Sequence, residues 1–159
     1  DEIPDPKKLA NFNLKNKYAC FVQKNFQQKL NLLNTTHPNW YGTKICIKKF
    51  LKSPQWLRDI KMKKRFWKIY KPNPPQLIFD GGWHFSFVKN SKNISNKIKS
   101  YAHQEYNKDK FHNINSIDDK ISQNKDILER DFSYKKIELD NTYPDFILNN
   151  KETFKEWIL

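Results

Sequence analysis

The sequence predicts a mixed α/β fold, and three patterns lead to that class. Residues 19–33, ACFVQKNFQQKLNLL, place apolar side chains three and four positions apart, which is typical of an amphipathic helix. Residues 43–50, TKICIKKF, alternate apolar and polar side chains as a half-buried strand does. Residues 76–88, QLIFDGGWHFSFV, form a second β-favouring run directly after prolines that end regular structure. We therefore expect one domain over 1–159, with helices and strands around one core.

The other elements follow from capping and turn signals. Pro6 suits the first position of a helix that follows an acidic turn. The segment SPQWLRDIKM begins with Ser53, a preferred N-cap, and predicts a short helix. Apolar spacing after Ser91 predicts a helix that continues through Tyr101, Ala102 and Glu105. Ser116 resembles the start of a capping box, and NTTHPNWYG at 34–42 is expected to be a loop.

The charge is strongly positive. The net charge is +13 and the isoelectric point is near 9.6, which suits a polyanion or nucleic-acid partner. Only three of the thirty basic residues are arginine, the preferred reader of phosphate and base edges, so a lysine-rich composition is the competing explanation. No specific nucleic-acid partner is therefore expected.

Two cysteines, Cys20 and Cys46, are too few and too far apart for a disulfide framework or a zinc site, and we expect free thiols. The sequence contains no apolar run long enough for a membrane segment and no signal peptide. The expected location is the cytoplasm, or the Golgi or another membrane if an N-terminal anchor precedes this chain.

The stretch DGGWHFSF combines a glycine pair with an aromatic residue and a histidine. Gly81 and Gly82 allow a ligand to approach the main chain closely, and they equally suit a tight turn. Trp83 offers a flat face for a sugar ring or a base. His84 suits metal binding, acid–base chemistry or hydrogen bonding to an oxyanion, and also a core position.

Two further clusters carry carboxylates. On a helix through SYAHQEYN, Glu105 is a candidate general base, and His103 lies on a neighbouring face; a solvated polar patch is the alternative. The opening DEIP supplies Asp1 and Glu2, and carboxylate oxygens are the ligands that hard divalent cations prefer. A disordered acidic terminus is the alternative there.

Five motifs occur in an order that resembles glycosyltransferase family 17, the β-1,4-N-acetylglucosaminyltransferases. They are DEIPDP at 1–6, WYGTK at 40–44, GGWHFSF at 81–87, SYAHQEYN at 100–107 and YPDFILNN at 143–150. The resemblance implies a GT-A-like fold, UDP-GlcNAc as the donor substrate, a glycan acceptor, a divalent metal (Mn²⁺ or Mg²⁺) and inversion at the anomeric carbon. It covers the C-terminal portion of the family's catalytic domain, so the N-terminal nucleotide-binding strands are expected upstream of this chain.

The resemblance also implies roles for individual residues. Asp1 matches the second aspartate of the family's Asp-x-Asp motif and is the expected metal ligand, together with His84. Inverting transfer needs a base for the acceptor hydroxyl, and from this chemistry Glu105 is the expected catalytic base, with Glu2 or Asp80 as substitutes. The expected substrate-binding residues are Gly81, Gly82, Trp83, His84 and His103, with Lys89 and Arg65 as possible phosphate contacts.

Two other functions remain open from the sequence. A basic module that binds polyanions or nucleic acid predicts an affinity that falls steeply with salt and does not depend on Mn²⁺. An inactive, truncated remnant of the enzyme predicts a retained fold without binding of UDP.

Overall fold

The computed structural model describes residues 1–63, 73–100 and 108–159. In this part of the chain the strands are β1 (Glu2–Pro4), β2 (Tyr18–Gln27), β3 (Leu32–Asn34), β4 (Asn39–Cys46), β5 (Gln76–Ile78), β6 (Gly82–Ser86) and β7 (Tyr134–Lys136). The α-helices are α1 (Pro54–Asp59), α2 (Ser91–Lys99), α3 (Asp109–His112), α4 (Ile114–Ser122) and α5 (Asp145–Asn149). Short 3₁₀ helices cover Pro6–Asn11, Lys48–Phe50 and Lys155–Trp157.

The seven strands form one mixed sheet, which agrees with the predicted α/β class. The order is β1-β6-β2-β3-β7, and β4 and β5 also pair with β2. The β2–β5 pair is parallel, while β1–β6, β2–β3, β2–β4 and β3–β7 are antiparallel. Because β2 has so many strand partners, it is the centre of the sheet.

The chain divides into two compact units, and the first comprises residues 1–24 and 39–84. Its apolar centre consists of Ala19 and Phe21 of β2 and Ile78 of β5, all at most 2% exposed. The parallel β2–β5 pairing aligns Phe21 with Ile78. The expectation of a single domain over 1–159 stays a prediction.

The second unit comprises residues 25–38 and 85–159. Helices α2, α3 and α4 pack around a buried cluster formed by Phe87, Ile94, Ile98, Phe111, Ile117, Ile127 and Leu128. Ile94 and Ile98 are fully buried and four residues apart, so they present one apolar face of α2 to this core. The helix predicted to start at Ser91 is therefore confirmed for Ser91–Lys99; its predicted continuation lies partly in 101–107, outside the described residues.

Two of the predicted helix starts are also confirmed. Ser53 caps α1, because its hydroxyl accepts a hydrogen bond from the backbone N–H of Trp56 at 3.0 Å. Pro6 stands at the start of a helix, which is a 3₁₀ helix capped by Asp5. The predicted strand 76–88 is instead two strands, β5 and β6, with a turn between them.

The predicted helix over 19–33 is wrong, because this segment contains most of β2 and the start of β3. Nine of the ten residues of β2 are buried. Because both faces of this strand are buried, its sequence lacks the alternation of apolar and polar side chains that marks a half-buried strand. Some of the buried polar side chains of β2 form hydrogen bonds inside the protein; for example, Asn25 donates to the carbonyl of His37 at 2.9 Å. The apolar side chains of this central strand are therefore spaced three and four positions apart, as they would be on an amphipathic helix.

Two further predictions are corrected. The loop expected at 34–42 ends early, because β4 begins at Asn39 and contains Trp40, Tyr41 and Gly42. The N-cap of α4 is Asn113 rather than Ser116, and its side chain accepts a hydrogen bond from the Ser116 backbone N–H at 3.1 Å. Asparagine and serine are both good caps, so sequence alone did not place the start.

Candidate functional site

The pairing of β1 with β6 brings together two of the predicted site residues. Glu2 lies directly opposite His84 in the antiparallel register. Residues directly opposite each other in such a pair project to the same face of the sheet. The carboxylate and the imidazole therefore share one face, with Glu2 exposed and His84 only 7% exposed.

Trp40 of β4 connects these two side chains. Its indole N–H donates to Glu2 Oε1 at 2.9 Å. Its ring stacks on the His84 imidazole with centroids 4.1 Å apart and an angle of 8° between the planes. Trp40 thus fixes the direction of the carboxylate and the plane of the imidazole, while 39% of its own surface stays exposed.

The second carboxylate oxygen of Glu2 accepts a hydrogen bond from Thr43 Oγ1 at 3.3 Å. Behind it, the fully buried Gln23 of β2 donates its amide to the same Thr43 oxygen at 3.4 Å. Gln23 Oε1 is a buried acceptor without a hydrogen-bond donor in the part of the chain that the structure describes. Buried acceptors in proteins are nearly always satisfied, so Gln23 Oε1 is an exception beside Thr43.

Gly42 makes room for the Glu2 carboxylate. A Cβ atom at residue 42 would lie 2.5 Å from Glu2 Cδ and 2.6 Å from Trp40 Nε1, closer than real Cβ contacts. The glycine is therefore needed for the close approach of β4 to the Glu2 side chain rather than for an unusual backbone angle. We call Glu2, Trp40, Gly42, Thr43 and His84 the Glu2–His84 cluster.

The glycine pair that precedes His84 sets the register of this cluster. A Cβ at Gly81 would lie 2.8 Å from Phe21 Cβ, so this position packs tightly against β2. Gly82 has φ 129°, a left-handed conformation that favours glycine, and a Cβ there would lie 2.1 Å from the Ile3 carbonyl oxygen. Both glycines are buried at backbone contacts, and they allow β6 to lie against β1 with His84 beside Glu2.

The remaining predicted residues are distributed as follows. Trp83 is 8% exposed and precedes His84 in β6, so strand alternation directs it to the opposite face. Asp80 is exposed in the turn between β5 and β6, and Asp1 is exposed immediately before β1. Lys89 is exposed after β6. The predictions for Arg65, His103 and Glu105 lie outside the described residues.

The metal prediction requires several ligand side chains close together. Within residues 1–63, 73–100 and 108–159, no three His, Cys, Asp or Glu side chains converge as a ligand set. Glu2 and His84 are adjacent, and each carboxylate oxygen of Glu2 accepts one hydrogen bond. Binding of a divalent metal by Asp1 and His84 stays a prediction.

Two titratable groups of the first unit have shifted pKa values. Burial raises the pKa of the Cys20 thiol to about 11, with the Glu2 carboxylate adding to the rise. Burial lowers the pKa of Lys44, whose ammonium donates to the carbonyl of Ile60 at 3.0 Å. Cys20 and Cys46 are both free thiols, as expected.

A separate polar network lies in the second unit. Asp126 is 6% exposed and accepts hydrogen bonds from Arg130 Nη2 at 2.7 Å and from the Tyr134 hydroxyl at 2.6 Å. Arg130 also donates to Gln27 Oε1 at 3.1 Å. Burial opposes ionisation of Asp126, but the hydrogen bonds from Arg130 and Tyr134 outweigh it and lower the pKa. The network borders an open cleft of about 800 Å³.

Sequence reasoning missed three members of the Glu2–His84 cluster: Trp40, Gly42 and Thr43. All three lie in WYGTK, a motif that contributes to the family resemblance, so that motif was the available signal. Their contact with Glu2 depends on strand pairing between distant parts of the chain, which no local pattern encodes.

No family model, curated protein or solved structure matches this chain. The resemblance to glycosyltransferase family 17 therefore rests on the five motifs. No helix among the described residues has the length and apolar character needed to cross a membrane.

Proposed function

We propose that this chain carries acid–base residues of an inverting glycosyltransferase, with a GT-A-like fold, that transfers N-acetylglucosamine from UDP-GlcNAc to a glycan acceptor. The observation that carries the proposal is the Glu2–His84 cluster. An exposed carboxylate, an oriented imidazole and a partly exposed tryptophan lie together, and DEIP, WYGTK and GGWHFSF each contribute to them.

In this proposal Glu2 is the general base. Each of its carboxylate oxygens accepts one hydrogen bond, from Trp40 or Thr43, and each keeps a further lone pair. An acceptor hydroxyl can therefore donate to Glu2 while the carboxylate stays oriented. As the hydroxyl oxygen forms its bond to the anomeric carbon, its proton passes to Glu2, and the bond from that carbon to the UDP oxygen breaks with its electron pair.

The neighbouring groups suit a sugar ligand. The exposed part of the Trp40 ring offers an apolar surface for the C–H face of a pyranose, as sugar-binding aromatics do. In this proposal the imidazole of His84, oriented by the stack on Trp40, forms a hydrogen bond to a hydroxyl or a phosphate oxygen of the substrate. The Mn²⁺ or Mg²⁺ that the resemblance implies is part of the proposal only as a requirement to be tested.

The test measures release of UDP from UDP-GlcNAc by the purified full-length protein that contains this chain, with MnCl₂ and a mixture of N-glycan acceptors. Glu2→Gln keeps the size of the side chain and removes the base, so turnover should fall by about a hundredfold or more. His84→Ala should lower turnover by at least about tenfold, the scale of one positioned electrostatic contact.

Two exposed residues outside the cluster give matched controls. Glu152→Gln and His37→Ala make the same chemical changes elsewhere and should leave turnover unchanged. Absence of UDP release by the folded full-length protein would contradict the proposal and support the inactive remnant. Full turnover of Glu2→Gln would contradict the role of Glu2, and turnover in EDTA would contradict the metal requirement.

A further inference from the structure

The positive charge of this protein is concentrated in one part of the chain. Residues 73–159 contain thirteen basic and thirteen acidic side chains, so more than half of the sequence is neutral. Residues 44–63 contain seven basic side chains and one acidic side chain, Asp59. A uniform lysine bias of the genome would spread the charge evenly, so the observed concentration points to a local role.

The structure brings two of these lysines, Lys49 and Lys52, together with Lys17, close to aromatic rings in the first unit. The ammonium groups of Lys17 and Lys49 lie 5.2 and 5.0 Å from the centroid of the Phe50 ring. Lys52 lies 5.8 Å from the ring of Trp56, which packs edge-on against Tyr18 with centroids 5.9 Å apart. Two like charges at one ring repel each other, and an anionic partner relieves that repulsion.

An apolar side chain projects from the middle of this group. Leu51 follows Phe50 directly and is 43% exposed, and Lys48, Lys49 and Lys52 around it are exposed as well. Among the described residues no carboxylate forms an ion pair with these lysines; Asp59 instead accepts a hydrogen bond from Gln55 at 3.0 Å. We define the basic surface as Lys17, Lys48, Lys49, Phe50, Leu51 and Lys52.

We propose that the basic surface docks the protein onto an anionic phospholipid bilayer. Lysines attract the negative headgroups, and Leu51 with the edge of Phe50 enters the boundary between headgroups and acyl chains. The alternative polyanion, single-stranded nucleic acid, binds through aromatic faces on which bases stack. Here lysine ammonium groups lie at Phe50 and Trp56, so base stacking is disfavoured.

The experiment is co-sedimentation of the purified chain with vesicles of 30% phosphatidylserine and 70% phosphatidylcholine, beside pure phosphatidylcholine vesicles. We expect binding to the anionic vesicles alone, weakened by added NaCl. Each lysine near such a surface contributes about a fivefold factor in affinity, so Lys48→Gln, Lys49→Gln and Lys52→Gln together should weaken binding about a hundredfold.

A matched triple variant separates a local surface from overall charge. Lys135→Gln, Lys136→Gln and Lys155→Gln remove the same charge from the second unit and should change vesicle binding less than threefold. Leu51→Ser should weaken vesicle binding and leave binding to a uridine 30-mer unchanged. Equal losses in both triple variants, no vesicle binding, or tighter binding of the uridine 30-mer than of vesicles would overturn the proposal. Circular dichroism establishes that each variant is folded.

Discussion

We expect replacement of the buried Asp126 carboxylate to destabilise the fold. This carboxylate is 6% exposed and accepts four hydrogen bonds, three from Arg130 and one from the Tyr134 hydroxyl. In Asp126→Asn, an N–H₂ group replaces one of the two carboxylate oxygens. This group cannot accept the hydrogen bonds that the oxygen accepts, and it lies against their donors. The Arg130 guanidinium also loses its countercharge.

The cost follows from these contacts. Breaking a buried ion pair by removing one partner costs about 3–5 kcal/mol. The side chain of Arg130 is 28% exposed, so water solvates part of its charge, and we expect the lower end, about 3 kcal/mol. With a denaturant slope of about 2 kcal/mol per M, the urea midpoint should fall by about 1.5 M at pH 7.

The effect should depend on pH with a defined sign. The hydrogen bonds lower the pKa of Asp126 below its ordinary value of 3.8, so the carboxylate stabilises the fold above that value. This contribution is lost as the pH falls below 3.8 and through the lower folded pKa, because the proton then binds in the folded state too. The difference in unfolding free energy between wild type and Asp126→Asn should therefore be largest at pH 7 and smaller at pH 2.

The assay is urea unfolding followed by far-UV circular dichroism at pH 7 and at pH 2. Asp131→Asn is the control, since Asp131 is a nearby exposed aspartate, and it should change the free energy of unfolding by less than about 0.5 kcal/mol. Arg130→Met should couple to Asp126→Asn, with the double variant less destabilised than the two single variants together. The reasoning would be refuted if Asp126→Asn lowered the unfolding free energy by less than about 1 kcal/mol at pH 7, or by the same amount at pH 2 as at pH 7.

Two further predictions concern the first unit. Gly42→Ala should displace the Glu2 carboxylate from Trp40, since the new Cβ would lie 2.5 Å from Glu2 Cδ; UDP release should fall at least tenfold. The exposed Glu2 side chain can swing away, so the unfolding free energy should change by less than about 1 kcal/mol, and unchanged turnover would contradict the role of the cluster. Cys20 is fully buried with a pKa raised to about 11, whereas Cys46 is half-buried. Iodoacetamide at pH 8 should therefore alkylate Cys46 first and Cys20 only in urea, as mass spectrometry of the peptides would show; equal rates would contradict this order.

Local signals in the sequence were sufficient where the neighbouring residues decide the structure. Ser53 beside Pro54 determined the start of α1, because a cap contacts the backbone of its own first turn. Ile94 and Ile98 determined the buried face of α2. The glycine pair before His84 correctly indicated a backbone that other residues would strain, since Gly82, the first residue of β6, has φ 129°.

Tertiary structure decided what local spacing could not. The segment 19–33 has the spacing of a helix, yet β2 is buried on both faces, and only its strand partners determine its conformation. Sequence alone selected Glu2 and His84 as separate candidates, 82 positions apart. The β1–β6 register made them neighbours, and β4 supplied the tryptophan, glycine and threonine that orient the carboxylate. Such contacts depend on strand pairing across the whole first unit, so the residue types follow from the sequence and their arrangement follows from the fold.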